Sequence, residues 1–271
     1  MAITRRAVLK GALAASAGTV AGAAAYGYAY ERHELEVTRT VVPVAGLPPA
    51  LAGLRVGLIT DLHRSLFVSH DDIAHAVTRL MAETPDLIVL GGDYVTYGDR
   101  TYVGPSAEAL DPLAAPHGVF GILGNHDDDH DMPAALGRNG VEVLKDARTR
   151  LRIRNETVDL VGIRYWTRRQ IDIAALTRDA APTTILLAHD PRRLTEAAAL
   201  GVPLVLSGHT HGGQVVLPVL GPIAAQKFPV VAGIGRRDRT TLFVSRGVGT
   251  IYVPVRINCP PEVALLTLQP A

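Results

Sequence analysis

The sequence predicts an α/β fold in which two packed, mixed β-sheets are flanked by helices. Three observations carry this. In the first half, short apolar runs alternate with segments of helical period: Leu54–Thr60, Asp86–Leu90 and Gly118–Leu123 against His70–Glu83 and Ser106–Ala114. In the second half strand-like runs dominate, at Thr183–Ala188, Pro203–Ser207, Thr241–Ser245 and Glu262–Leu268. Many of these runs also stop at Asp, Asn or His beside a small residue. Helical and strand periodicities mixed in this way predict sheet packed on sheet with helices outside.

The chain has 271 residues, 48% of them hydrophobic and 20% charged, which suffices for one large domain with a sizeable core. A formal net charge of +1 argues against a nucleic-acid binder driven by a basic surface. A single cysteine, Cys259, cannot form an intramolecular disulfide. That alone suggests a cytosolic protein, but the N-terminus points elsewhere. Thr4–Lys10 resembles a twin-arginine motif around Arg5 and Arg6, with Val8 where Phe is more usual, and a charge-free stretch rich in Ala and Gly follows from Gly11 to Tyr30. A basic region followed by an apolar one is the order of an export signal, with Ala23–Ala25 as a cleavage site. The stretch is also long enough to span a bilayer as an uncleaved anchor. Residues 1–30 are therefore expected to be a twin-arginine signal or membrane anchor, and residues 31–271 one domain outside the cytoplasm, in the periplasm or cell envelope.

The elements follow in order. Glu34–Val44 is a strand, and Gly46–Gly53 a turn. The buried strand Leu54–Thr60 ends in Asp61-Leu62-His63, and a helix follows over His70–Glu83, with Ile73, Val77 and Leu80 on one face. The strand Asp86–Leu90 ends in Gly91-Gly92-Asp93, the helix Ser106–Ala114 follows, and Gly118–Leu123 ends in Gly124-Asn125-His126-Asp127. Met132–Asn139 is helical. Three short strands are expected at Val141–Leu144, Arg150–Arg154 and Val158–Ile163. A helix follows over Ile171–Asp179, then the strand Thr183–Ala188 ending in His189, then a helix over Pro191–Leu200. The strand Pro203–Ser207 ends in Gly208-His209-Thr210-His211-Gly212-Gly213. Gln214–Leu220, Thr241–Ser245, Ile251–Val255 and Glu262–Leu268 complete the strands, and Gly233-Ile234-Gly235 is expected in a turn.

Asp61, His63, Asp93, Asn125, His126, His189, His209 and His211 all follow apolar runs. Ligands of open α/β sheets gather beyond the carboxyl ends of strands, so residues spread along the sequence can converge. Any one of these side chains alone is an ordinary turn or core residue; together they indicate one site. Imidazole and carboxylate donors without thiolate suit Mn, Fe or Zn.

These blocks, Asp-x-His, Gly-Asp, Gly-Asn-His-Asp, a later His and Gly-His-Thr-His, resemble the calcineurin-like metallophosphoesterases over about residues 51–270, in the family's order. The resemblance implies a four-layer fold, a double β-sandwich flanked by helices. It implies a first metal held by Asp61, His63, Asp93 and His211, and a second held by Asp93, Asn125, His189 and His209, with Asp93 bridging. It implies phosphoester hydrolysis by a metal-bridging hydroxide, with the two divalent or trivalent ions roughly 3.5–4 Å apart. His126 is implied to contact the phosphate and protonate the leaving oxygen. Asp127 beside it is expected to orient that imidazole and raise its pKa.

Gly212-Gly213-Gln214, Ser245–Gly249 and Arg256–Glu262 further resemble a branch of exported or membrane-associated phosphoesterases, including twin-arginine-exported phosphodiesterases and enzymes that split diacylated UDP-glucosamine. That resemblance implies a phosphodiester or pyrophosphate substrate, from the cell envelope or lipid-linked, with the twin-arginine export machinery and a membrane surface as partners and no nucleic acid. The rivals are a broad phosphomonoesterase and a non-catalytic envelope scaffold. Arg246 and Arg256 are expected to bind substrate, as guanidinium forks match phosphate oxygens. Cys259 is expected to be a buried packing residue, Asp128–Asp131 a solvated loop, and Gly221–Arg239 a packed loop.

Overall fold

The computed structural model describes residues 4–271. An N-terminal helix α1 (Arg5–Ala29) leads into strand β1 (Glu36–Val44). Then come β2 (Arg55–Ile59), α2 (His70–Met81), β3 (Leu87–Leu90), α3 (Val103–Leu110), β4 (Val119–Gly121), α4 (Asp131–Arg138) and β5 (Val141–Val143). The remainder is β6 (Ala147–Ile153), β7 (Glu156–Gly162), α5 (Gln170–Thr177), β8 (Thr183–Leu187), α6 (Leu194–Ala199), β9 (Leu204–Ser207), β10 (Val216–Leu217), β11 (Gly221–Pro222), β12 (Gly233–Arg237), β13 (Thr240–Val244) and β14 (Glu262–Pro270). The helix α2 starts where the sequence dictates: Ser69 and Asp72 form a reciprocal capping box that pairs two otherwise free backbone donors.

Two six-stranded mixed sheets form, in the orders β1-β14-β2-β3-β4-β5 and β12-β13-β9-β8-β7-β6. Their inner faces share a core in which Val56, Leu58, Val89 and Phe120 meet Leu160, Ile185, Leu206 and Phe243. The alternate residues face outward. Ile59, Ile88 and Leu90 pack with Ile73, Leu80 and Leu110 of the first helical layer, while Val161, Leu186 and Val205 pack with Ile173 and Ala197 of the second. Both faces of each sheet are thus covered, which is why the central strands read as uninterrupted apolar runs. The fold is the four-layer α/β sandwich that the sequence predicts.

Four local expectations need correction. Ile251–Val255 is not a strand: the side chain of Gln214 occupies its backbone, accepting from Ile251 N at 2.9 Å and donating to the carbonyls of Ile251 and Val253. Gln214–Leu220 contributes only the two residues of β10, because the chain reverses at once to pair β10 with β11. Gly233-Ile234-Gly235 is not a turn but lies in β12, whose pairing with β13 tolerates glycine at the sheet edge. The stretch Pro191–Leu200 also divides, into a 3-10 turn over Pro191–Arg193 and the short α6.

Candidate metal centre

The carboxyl ends of β2, β3, β4 and β9 open into one cleft of about 440 Å³, lined by His63, Asp93, Asn125, His126, His209 and His211. The chain reaches it through unusual backbone. Asp61, His63, Asp93, His209 and His211 all have positive φ, between 48° and 73°. Non-glycine residues seldom adopt this left-handed region, and each such residue costs of order 1–3 kcal/mol. The conformation turns the chain sharply off each strand, so that residues one apart, such as His209 and His211, project into the same space. Close approach requires glycine at two neighbours: a Cβ at Gly208 would lie 2.2 Å from Asp61 Oδ2, and one at Gly124 would lie 2.0 Å from Asp93 Oδ1.

Two groups of ligand atoms form. Asp61, His63 and His211 offer atoms all within 4.8 Å of one another, as do Asp93, His189 and His209. The groups touch through Asp93, whose Oδ2 is 3.5 Å from His63 Nε2 and 3.1 Å from His189 Nε2. Asn125, His126 and His63 line the same cleft. The structure therefore brings together all seven residues that the sequence singles out as metal-ligating.

The residues fit a pair of cations. Buried polar atoms are ordinarily paired, yet Asn125 Oδ1 and His189 Nε2 are buried without an aligned hydrogen-bond partner. His211 Nε2 faces His63 Nε2 at 3.1 Å and Asp61 Oδ1 at 3.4 Å. Burial holds the imidazoles neutral, the state metal binding needs: the pKa of His63 falls to about 4, that of His209 to about 3, and that of His211 well below its ordinary value. Burial and the neighbouring Asp93 lift the Asp61 carboxyl to about 6, against the pull of His189. Burial opposes charge on His189 too, but Asp93 and Asp61 override it and raise that pKa to about 10. A cation bound there displaces the proton.

Second contacts fix these ligands. Asp61 accepts from Thr60 Oγ1 at 2.7 Å and from His209 N at 3.0 Å, tying the first strand end to the last. His189 Nδ1 lies 2.7 Å from Gly91 O, which leaves Nε2 to face the cleft. The aromatic rings of Tyr165 and Phe228 pack against His209, at 5.3 and 5.2 Å between centroids. Nothing in the sequence marked these last contacts.

Three expectations about the site are corrected. Asp127 does not orient the His126 ring. Its carboxylate accepts the backbone N–H groups of Asp93 (2.7 Å), Tyr94 (2.8 Å) and Gly124 (2.8 Å), so it fastens the β3 loop to the β4 loop. The His126 Nδ1 instead accepts the Tyr97 N–H at 3.0 Å, and burial lowers rather than raises the His126 pKa. An imidazolium would turn an N–H toward the Tyr97 N–H donor, so the neutral ring with its proton on Nε2 is the form that fits. Arg256 is fully buried. It donates to the carbonyls of Arg246, Gly247, Gly249 and Cys259, because the loop it fills offers four inward-facing acceptors. Arg246 is held by Glu36 and Glu262. Neither arginine lines the cleft.

Comparison with known proteins agrees with this geometry. Residues 54–213 match the family model for calcineurin-like phosphoesterases. The chain is 31% identical to the phosphodiesterase YaeI of Escherichia coli, over 94% of this chain and 97% of that one. It is 31% identical to the metallophosphoesterase YkuE of Bacillus subtilis, over 98% of each. A transmembrane protein with a metallophosphoesterase domain from Danio rerio is 29% identical over 92% of this chain, which spans 60% of that protein. Among solved structures, the NAD nucleotidase of Haemophilus influenzae shares the fold, with a TM-score of 0.53 at 12% identity over 72% of this chain and 45% of that one. Strand-end ligands, the four-layer sandwich and the matched span lead to one conclusion: this chain belongs to the calcineurin-like phosphoesterase family and is a metal-dependent phosphoester hydrolase.

Proposed function

We propose that the chain hydrolyses a phosphodiester or pyrophosphate bond at a dinuclear metal centre on the outer side of a membrane. The observation that carries the dinuclear reading is Asp93 Oδ2, one carboxylate oxygen within 3.5 Å of a nitrogen from each ligand group. Asp61, His63, Asp93 and His211 would hold the first ion, and Asp93, Asn125, His189 and His209 the second. The donor set suits Mn, Fe or Zn. When bound, the two ions supply Lewis acidity at the phosphoryl oxygens and a nucleophile drawn from water.

The protein supplies the rest. His126 stands at the cleft with Nδ1 engaged by the Tyr97 amide, so its Nε2–H is the donor available to a phosphoryl or leaving oxygen. Asp127 keeps the loops of Asp93 and Asn125 in register. Val215, Ile223, Phe228, Ile251 and Val253 form apolar outer walls, which favour a substrate with an apolar part, as in a cell-envelope or lipid-linked ester. The phosphodiester preference is supported by the relative named a phosphodiesterase.

The N-terminus is read as a twin-arginine export segment retained as an anchor. Its charge-free stretch forms α1, and the last turn packs on the domain at Gly27. Replacing Arg5 and Arg6 together by Lys should abolish export; continued export would remove the twin-arginine reading. The mass of the protein recovered from the membrane fraction decides between retention and cleavage. The reaction class is tested by loading the protein with Mn, Fe or Zn and supplying an aryl phosphodiester and an aryl phosphomonoester. Faster turnover of the diester is expected; faster turnover of the monoester would replace the proposal with a phosphomonoesterase.

A further inference from the structure

The end of α1 is fastened to two loops beside the metal cleft. Gly27 is buried against the loop that carries Arg256: a Cβ there would lie 2.4 Å from Arg256 O, and the Gly27 carbonyl accepts the Arg256 N–H at 3.3 Å. Glu31 accepts the Cys259 N–H at 2.7 Å. Arg32 donates to Phe67 O at 2.9 Å. The helix exit is thereby fixed to Phe67 on one side and to residues 255–259 on the other.

The helix itself marks a membrane level. It is 25 residues long, about 37 Å at 1.5 Å per residue, against a hydrocarbon core of about 30 Å. Arg5, Arg6 and Lys10 lie at its start. Tyr26, Tyr28 and Tyr30 lie at its end, each about half exposed. Basic residues at one end and tyrosines at the other are the flanks of a membrane span, with the tyrosines at the headgroup level. The hydrogen bonds to Gly27, Glu31 and Arg32 hold both loops against that end of the helix.

Those loops present apolar tips. Leu66 is 89% exposed and Tyr252 82%, with Phe67 and Val253 about half exposed. Single exposed apolar residues need no explanation, but a group beside a membrane span does. Between the tips lies a cavity of about 610 Å³, lined by Phe67, Tyr97, Tyr102, Ile251, Tyr252 and Val253. Ile251, Tyr252 and Val253 also line the metal cleft, so the two spaces share a wall.

We propose that Leu66–Phe67 and Tyr252–Val253 insert into the surface of the bilayer that α1 crosses, so that the metal cleft opens at the lipid–water boundary. The inference rests on the retained-anchor reading of α1, and on the phosphoesterase reading only for what the cleft does once seated. It is tested on the full chain in phosphatidylcholine vesicles with and without brominated acyl chains. The sole tryptophan is first removed by Trp166→Phe, and reporters are then introduced singly as Phe67→Trp, Tyr252→Trp and Leu66→Trp. Arg152→Trp, on the exposed end of β6 away from the cleft, serves as control. Fluorescence of the three loop reporters should be roughly halved by the brominated lipid, as for side chains buried in the headgroup–acyl region, and the control should be unchanged. Absence of quenching at all three sites, in variants whose circular dichroism matches the parent, overturns the proposal. Hydrolysis of a water-soluble aryl phosphodiester by the parent chain in the same vesicles separates the two readings. Quenching without hydrolysis removes the phosphodiester reading and leaves the membrane seat, and hydrolysis without quenching removes the membrane seat.

Discussion

The strand-end cluster and the segment from Ser245 to Glu262 lie back to back and carry comparable polar chemistry, yet they are built on opposite terms. In the cluster, Asn125 Oδ1 and His189 Nε2 are buried without an aligned partner. Behind it, Arg256 is as deeply buried but distributes its guanidinium over four backbone carbonyls, and Arg246 is closed by two glutamates. An unpaired buried polar atom is expensive, and its persistence implies a ligand that completes it. A fully paired one holds the fold in place. The same contrast separates side chains that do chemistry from side chains that position them.

The largest effect should come from Asp93, which serves both ligand groups. Asp93→Ala should leave the protein folded but lower its metal content and take turnover below detection; metal analysis and the aryl phosphodiester assay read both. Full activity in this variant would sink the dinuclear assignment. Next is His126. As a hydrogen-bond donor aimed at developing charge, its loss in His126→Ala should reduce turnover by about 10²–10³-fold. Metal content should not change. Because burial lowers the pKa of His126, the ring stays neutral across the neutral range. The loss should therefore be uniform with pH there, and a loss confined to one limb of the profile would restore a proton-transfer role. Asp127 comes third. It acts through the loops it ties together, so Asp127→Asn should weaken metal affinity by about 10–100-fold, as outer-shell changes do. Titration with a metal chelator measures this.

How far the sequence reveals the two regions follows from the same contrast. The apolar runs of β2, β3, β8 and β9 are legible because both sheet faces are covered, and the candidate ligands are legible because so many Asp, Asn and His residues follow such runs together, although each alone is ordinary. The left-handed backbone at Asp61, His63, Asp93, His209 and His211 is the geometry that this pattern implies. What stays hidden depends on backbone partners, which carry no residue identity. Asp127 next to His126 invites a side-chain pair, but amides from the β3 loop reach its carboxylate first. The two arginines look like phosphate forks until the carbonyls and glutamates around them are seen. Ile251–Val255 has strand composition, and only the distant Gln214 side chain removes it from a sheet.

In the paired region, Arg256→Met should act on stability more than on chemistry. It strips partners from buried carbonyls at about 1–3 kcal/mol each. The four carbonyls together set a loss of at least about 4 kcal/mol, which lowers the melting temperature of a chain this size by roughly 8–16 °C. Turnover per metal-loaded molecule should stay near the parent's. A collapse of turnover without a fall in melting temperature would return Arg256 to the substrate.

The smallest effect, and the sharpest test of the boundary between the regions, belongs to Cys259. It is a free, buried thiol whose Sγ lies 3.2 Å from the carbonyl of the candidate ligand His211. Burial raises its pKa, so the thiol stays protonated and is a weak donor rather than a nucleophile. Cys259→Ala therefore removes only weak thiol contacts, to the His211 and Gly212 carbonyls and to Arg256, and little volume, at about 1 kcal/mol or roughly 2–4 °C in melting temperature. Turnover should be unaffected, and alkylating reagents should not inhibit the folded parent. If Cys259→Ala instead lowered metal content as well as stability, the His211 turn would depend on the thiol behind it, and the division between paired scaffold and unpaired site would have to be drawn one residue layer further out.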